Sequence, residues 1–259
     1  MNRKQAIDGI TDVKKIFSNH GIDIWLDMGT LLGAVREGEL IGWDNDIDFA
    51  VWHEDIIDFD VLNDSFRKRG YSVKLYTNKI LIKNKDCDID VYLHRKRGTS
   101  AVNFWYRPSI KWSRLIWKYP LFIHLIHLIG LSPNSNLSTK NYKFATLSSI
   151  LLHMIHLIHY SLRLKIILAL EKITFRYFIL KVPETFFNNL QKIEFYGIEH
   201  QIPNNVSKYL SARYGKSWEI PKKKWGWTLQ MNSEIESKII DPKEIYNRLD
   251  DSSIFKRII

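Results

Sequence analysis

The chain is 259 residues long, 45% apolar and 13% aromatic; that is enough apolar material for one large domain or two small ones, and it excludes a disordered polymer. A single cysteine, Cys87, excludes an internal disulfide and fits a reducing cytoplasm. The net charge of +10 is uneven: residues 100–183 hold eleven Lys/Arg against one acid, Glu171, so the excess of the whole chain is the excess of this segment.

In chain order, residues 3–19 carry Ala6, Ile10, Val13, Ile16 and Phe17 at helical spacing, with Gly21 where a C-terminal cap belongs. The N-terminal residues lead into this helix and not into an apolar signal core. Residues 22–27 read as a strand that ends at the turn Gly29-Thr30. Gly33 and Gly38 bracket a short helix bearing Arg36, and Gly42-Trp43 turn the chain into a second strand at 46–51. A helix is predicted over 54–69, with Ile56, Ile57, Phe59, Leu62 and Phe66 as its apolar stripe. Short strands follow at 71–75 and 79–83, and an alternating strand at 86–93.

Two stretches carry chemistry. In Asp46-Ile47-Asp48-Phe49 the alternation of a strand turns both carboxylates to one face and both apolar side chains to the other. Two carboxylates on one face repel unless a positive charge lies between them. Mg²⁺ is the ordinary answer, because it takes one or two carboxylates together with substrate phosphates. Asp88 and Asp90 share a face of their strand in the same way. Gly29-Thr30 admits two compatible readings, a helix start capped by Thr30 and a set of backbone N–H groups that receives a phosphate. Arg36 serves a phosphate or pairs with Glu39. Trp43 reads first as a core aromatic behind the acidic strand and second as a stacking surface for a base or sugar. Asp44 reads first as a turn cap and second as a further ligand.

Gly29-Thr30-Leu31-Leu32-Gly33-Ala34-Val35-Arg36 followed by Trp43-Asp44-Asn45-Asp46-Ile47-Asp48 resembles the LicD family, which includes the catalytic domains of fukutin and fukutin-related protein, within the nucleotidyltransferase superfamily. Residues 195–221 resemble the C-terminal signature of such chains. The resemblance implies an α+β fold, a nucleotidyltransferase-like mixed sheet with helices, to which this chain adds a helical basic and apolar segment. It implies transfer of a phospho-alcohol, such as phosphocholine or an alditol phosphate, from a CDP-activated donor onto a glycan of lipopolysaccharide, capsule or teichoic acid type. It also implies a third acid from a neighbouring strand; Asp90 in Ile89-Asp90-Val91 is the first choice and Asp88 the second. Asp46, Asp48 and Asp90 are then the catalytic ligands of Mg²⁺ or Mn²⁺, with Gly29, Thr30, Arg36 and Trp43 on the substrate.

The expected organisation is a catalytic core at 1–99, a basic helical insertion at 100–183, and a C-terminal part at 184–259 that completes the catalytic domain. Two apolar runs, 119–131 and 147–170, lie in the insertion; residues 144–162 carry no formal charge, while His153, His156, Tyr160 and Arg163 share a helical face. Such a helix suits an anionic membrane surface, where lipid-linked glycans are built, better than nucleic acid. The resulting location is cytoplasmic, peripheral on the inner face of the plasma membrane. The His-x-x-His spacings at 124/127 and 153/156 lack the cysteines that structural zinc usually recruits. Lys222–Lys224 reads as a solvated turn.

Three rivals follow from the same residues. A sugar transferase also uses Asp-x-Asp but lacks the Gly-Thr turn about sixteen residues before it. A nucleotidyltransferase acting on a small molecule or RNA shares the whole pattern. A scaffold that kept the fold has no need of three acids. For the membrane reading, flotation with anionic vesicles at low salt is expected to carry the full chain upward and neutral vesicles to leave it behind; retention in the soluble fraction with both removes it.

Overall fold

The computed structural model describes residues 3–76, 78–108, 175–222 and 236–240. The chain divides into two compact units, residues 1–105 with 179–238 and residues 106–178 with 239–259. All site residues discussed below belong to the first. Of the second, the described residues are the strand ends 106–108, 175–178 and 239–240. The two apolar runs, the histidine pairs and Lys223-Lys224 lie outside the described residues.

Arg3–Asn19 forms α1 and buries Ala6, Gly9, Ile10, Val13, Ile16 and Phe17. Its end closes as expected at Gly21: this residue takes φ +67°, and the Ile22 N–H donates back to the Phe17 carbonyl at 3.0 Å. Ile24–Leu26 (β1) leads into α2, Met28–Arg36, which starts earlier than the Gly33–Gly38 bracket suggests and contains the Gly-Thr pair. Asp46–Trp52 (β2) follows. The helix predicted over 54–69 is shorter. His53–Asp55 is a 3₁₀ turn, and α3 spans Phe59–Arg67. The reason is Asp58, whose Oδ1 caps the Asp60 and Val61 N–H groups at 3.0 and 3.3 Å and so fixes the start there. Ile56, Leu62 and Phe66 are buried as expected, whereas Ile57 is 88% exposed.

Ser72–Leu75 (β3) and Lys79–Lys83 (β4) form an antiparallel pair, and Asp88–Arg97 is β5. Residues 100–183, expected as a helical insertion, open and close on strands: Ser100–Pro108 (β6) and Phe175–Pro183 (β7). The apolar and aromatic residues at both ends, Ala101, Val102 and Phe104 on one side and Ile179, Leu180 and Val182 on the other, are buried, and β6 runs antiparallel to β5 with Arg95 opposite Val102. Gln191–Phe195 (β8), Ile198–Ile202 (β9), Val206–Tyr214 (α4) and Glu236–Ile240 (β10) complete the described elements.

The ten strands form a mixed sheet in the order β10-β7-β6-β5-β2-β1-β9-β8, with β4 also on β5 and β3 outside β4. The fold is thus α+β. β2 and β5 are parallel; β1 is antiparallel to β2 and parallel to β9. One face of the β2–β5 pair is apolar: Ile47, Phe49, Ile89 and Val91 are buried with α1 and α3. A Cβ on Gly9 would meet Cys87 Sγ at 2.9 Å and the Ile89 and Ile47 side chains at 3.3 and 3.4 Å, which places α1 directly on that face. Among the described residues no helix is long and apolar enough to cross a membrane.

His200 is buried on the same sheet, with its ring 6.1 Å from Phe49 and 6.3 Å from Phe195. Burial, helped by Lys14, pushes its pKa down from 6.5 to about 4. A depressed group leaves stability intact above the unfolded value and loses it as pH falls toward the folded one. Acidification from pH 6.5 to 4 is therefore expected to destabilise the fold through this residue by on the order of 2 kcal/mol. His200→Gln should flatten the pH dependence of the thermal midpoint over that range; an unchanged slope assigns the acid sensitivity elsewhere.

Candidate active site

The in-register parallel pairing of β2 with β5 sets Asp46 beside Asp88 and Asp48 beside Asp90. Alternation puts all four carboxylates on the face opposite the α1–α3 core. β4 runs antiparallel on the far side of β5, with Lys83 opposite Asp88 and Lys79 opposite Tyr92. Its two ammonium groups reach the same face, where Lys79 Nζ pairs with Asp90 and Lys83 Nζ with Asp88. Asp90 is 5% exposed, and its Oδ1 has no hydrogen-bond partner among the described residues.

Asp48, 4% exposed, lies at the start of α2. Its Oδ2 accepts from the Gly29 N–H at 2.9 Å and the Thr30 N–H at 3.4 Å, and its own N–H donates to Thr30 Oγ1 at 2.8 Å. The amides read from the sequence as a phosphate cradle are thus directed at a carboxylate, and Thr30 braces the acidic strand. The cap of α2 is Asp27, not Thr30. Asp44, read first as a turn cap, lies in the acid group: Asp44, Asp46 and Asp48 each offer an oxygen within 4.8 Å of the others. A Cβ on Gly29 would overlap Asp44 Oδ2 and stand 3.2 Å from Asp48 Oδ2, so any larger residue here would displace the Asp44 carboxylate from its present position.

These acids are short of positive charge. Burial, then the hydrogen bond and charge of Asp44, pushes Asp46 up to about 6. Burial and the charges of Asp46, Asp44 and Asp90 push Asp48 well above the usual carboxylate range. Burial also raises Asp90, against the opposing effect of Lys79. An oxygen-only donor set with surplus negative charge and a free buried oxygen on Asp90 fits a hard divalent cation.

Asp27 stands apart. It is 0% exposed, and both its oxygens are doubly satisfied. Oδ1 accepts from the Met28 N–H at 2.8 Å and Tyr209 Oη at 2.6 Å; Oδ2 accepts from Arg213 Nη2 at 3.1 Å and His94 Nε2 at 3.2 Å. Although burial favours its neutral form, the Arg213 guanidinium together with His94 and Tyr209 holds its carboxyl well below the usual range. The next residue, Met28, takes φ +47°, a conformation that costs a non-glycine residue on the order of 1–3 kcal/mol. Nothing in the local pattern around Asp27 signals Tyr209 and Arg213, which lie 182 and 186 residues away on α4.

Two other expectations change. Arg36 pairs with Glu37, with Nε 2.9 Å from Oε1, and its Nη1 donates to the Trp218 carbonyl at 3.2 Å. Glu39 is not its partner: Glu37 follows it directly at the end of α2, within reach of a bent side chain. Trp43 is 44% exposed and so is no core aromatic; it stands next to Asp44 with its ring open to solvent.

Two strands bearing paired acids thus meet a glycine turn and a helix start aimed at the second acid. Residues 21–119 match the family model described as LicD/FKTN/FKRP, nucleotidyltransferase domain. An uncharacterised protein of Rickettsia typhi is 33% identical over 95 residues, 37% of this chain and 30% of that one. One from Rickettsia prowazekii is 34% identical over 91 residues, 35% of this chain and 34% of that one. Ribitol 5-phosphate transferase FKRP of Homo sapiens is 47% identical over 36 residues, 14% of this chain and 7% of that one. The chain thus spans about a third of the length of the Rickettsia proteins that it matches. The solution structure of the antibiotic-resistance factor ANT(2'')-Ia aligns with a TM-score of 0.32 at 15% identity, over 66% of this chain and 97% of that one.

The surplus charge has a stability consequence. A carboxylate whose pKa is raised on folding is stabilising while protonated, and that benefit is lost as pH rises through the folded value, about 6 for Asp46. In chelator-treated protein at pH 7, Asp46→Asn is expected to raise the thermal midpoint by several degrees, from on the order of 1–2 kcal/mol of repulsion relieved. Added Mn²⁺ should stabilise the wild type and not the variant. A lower midpoint for the chelator-treated variant would mean that Asp46 is already neutralised by other groups.

Proposed function

We propose that this chain is a divalent-cation-dependent transferase that moves a phospho-alcohol, of the phosphocholine or alditol phosphate type, from a CDP-activated donor onto a cell-surface or lipid-linked glycan. The observation that carries the reading is the packing of Asp44, Asp46 and Asp48 within 4.8 Å of one another, beside Asp90 on the adjoining strand. The LicD-family match over residues 21–119 supports the reaction class.

Asp46, Asp48 and Asp90 would hold the cation, with Asp44 as a further carboxylate, and Mg²⁺ or Mn²⁺ bound there supplies positive charge for the phosphoryl oxygens and the departing CMP. The chain does the rest by positioning. The Gly29 and Thr30 amides orient Asp48. Lys79 and Lys83 line the β4 side of the face, paired with Asp90 and Asp88, and their ammonium groups would lie beside the phosphates of a donor held there. Trp43, exposed and adjacent to Asp44, offers a ring for stacking on base or sugar. A carboxylate of the cluster accepts the proton of the attacking hydroxyl. The location at an inner membrane face, through the basic segment 100–183, follows from composition alone.

The test is CMP release from a panel of CDP-alcohols with Mg²⁺ and a glycan acceptor. One member of the panel should give CMP and a phosphodiester product. Asp48→Asn should lower turnover by at least roughly 10³-fold, as loss of a metal-holding group in phosphoryl transfer does, without loss of the fold. Near-normal turnover by a folded Asp48→Asn protein sinks the metal-site reading, and a product lacking a phosphodiester points to glycosyl transfer instead.

A further inference from the structure

We propose that Asp27 is a positioning residue for the acid cluster: by tying Tyr209 and Arg213 of α4 to the first residues of α2, it aims the Gly29 and Thr30 amides at Asp48. The catalytic consequence rests on the metal-site reading above; the geometry does not.

Every link is a named contact. Asp27 Oδ1 receives Tyr209 Oη and the Met28 N–H, and Oδ2 receives Arg213 and His94. Tyr209 Oη in turn accepts from Arg213 Nε at 3.1 Å, so the two α4 residues grip Asp27 as a unit. Burial pushes the His94 imidazole down, toward its neutral form; donation through Nε2 then fixes its tautomer. The main chain carries the effect onward. Asp27 is extended, at φ −138° and ψ −178°, Met28 is left-handed, and the next two N–H groups point at Asp48 Oδ2. The Asp27 N–H also donates to the Asp48 carbonyl at 3.3 Å. No side-chain atom of Asp27 hydrogen-bonds an acid of the cluster, so its influence passes through backbone it holds in a strained shape. Residues 209 and 213 lie outside the stretch 21–119 that matches the family model. The C-terminal helix therefore completes the site rather than merely covering the sheet.

The alternative is that Asp27 and Arg213 form a buried ion pair that serves stability alone. Three full-length variants separate the two. Asp27→Asn keeps the shape and removes the charge. Tyr209→Phe removes one hydroxyl and keeps the ring that packs on Phe186 and Phe187 at 5.4 and 5.7 Å. Leu62→Ala destabilises the opposite face of the sheet through α3. The readouts are amide hydrogen exchange at Gly29 and Thr30 by NMR, and Mn²⁺ affinity by electron paramagnetic resonance. Asp27→Asn and Tyr209→Phe should speed exchange at these two amides at least about tenfold and weaken Mn²⁺ roughly 10–100-fold, the usual cost of losing a group that orients a ligand. Leu62→Ala should lower the thermal midpoint and leave both readouts at their wild-type values. Unchanged exchange at Gly29 and Thr30 in folded Tyr209→Phe overturns the proposal, and that variant decides alone if Asp27→Asn does not fold. An equal effect of Leu62→Ala overturns it as well. If the wild type binds no Mn²⁺, the metal-site reading fails while the exchange measurement still decides the positioning role.

Discussion

The parallel, in-register contact between β2 and β5 is the constraint from which the rest of the site follows. It sets Asp46 against Asp88 and Asp48 against Asp90, at a separation where like charges in a partly screened site repel by on the order of a few kcal/mol. The repulsion is met locally: Lys79 and Lys83 come in from β4, and the first turn of α2 lends its N–H groups to Asp48, where the helix macrodipole also favours a negative group. These partners are too few, and the remainder shows as raised proton affinity at Asp46, Asp48 and Asp90. The opposite face of the same strands is plain apolar core with α1 and α3 upon it, so a rigid platform carries an electrostatically unfinished surface.

Two buried carboxylates that both touch the start of α2 show the contrast. Asp27 receives four donors, one from a guanidinium, and is held ionised. Asp48 is nearly as deep and receives two amides amid three other acids, so its charged form is disfavoured. Depth alone does not set these states; the number and sign of neighbours does. A carboxylate satisfied on both oxygens can hold a turn in place. One left under-compensated marks where an external positive charge is accommodated.

What the sequence made legible follows the range of the forces involved. Apolar periodicity located α1 at Arg3–Asn19 and β4 at Lys79–Lys83, because burial of one face is a local pattern. Alternation put Asp46 with Asp48 and Asp88 with Asp90, and the pairing of β2 with β5 sets the two pairs side by side. The pairing of α4 with Asp27 was not legible, since no local pattern reports a contact between residues about 180 positions apart. Trp43 was misjudged for a related reason: it lies on the turn before β2, where strand alternation gives no direction, and its ring turned to solvent, whereas Asp44 both accepts from the Asn45 N–H of that turn and joins the acid group, so its two readings coexist. The early start of α2 was hidden because a left-handed Met28 breaks the usual grammar of a helix entry.

The commitment of the Gly29 and Thr30 amides to Asp48 changes how an anionic donor can be held. In glycine-rich phosphate loops the turn amides face the ligand directly. Here they face a carboxylate, so this turn grips a ligand-holding side chain instead of the phosphate. Asp44, Asp46, Asp48, Asp88 and Asp90 against Lys79 and Lys83 leave the face three charges negative when all are ionised. Such a face repels a pyrophosphate. Positive charge among the acids would lessen that repulsion, and Lys79 and Lys83 flank the same face from β4. The turn amides therefore act at one remove from any ligand, by fixing the Asp48 carboxylate in place.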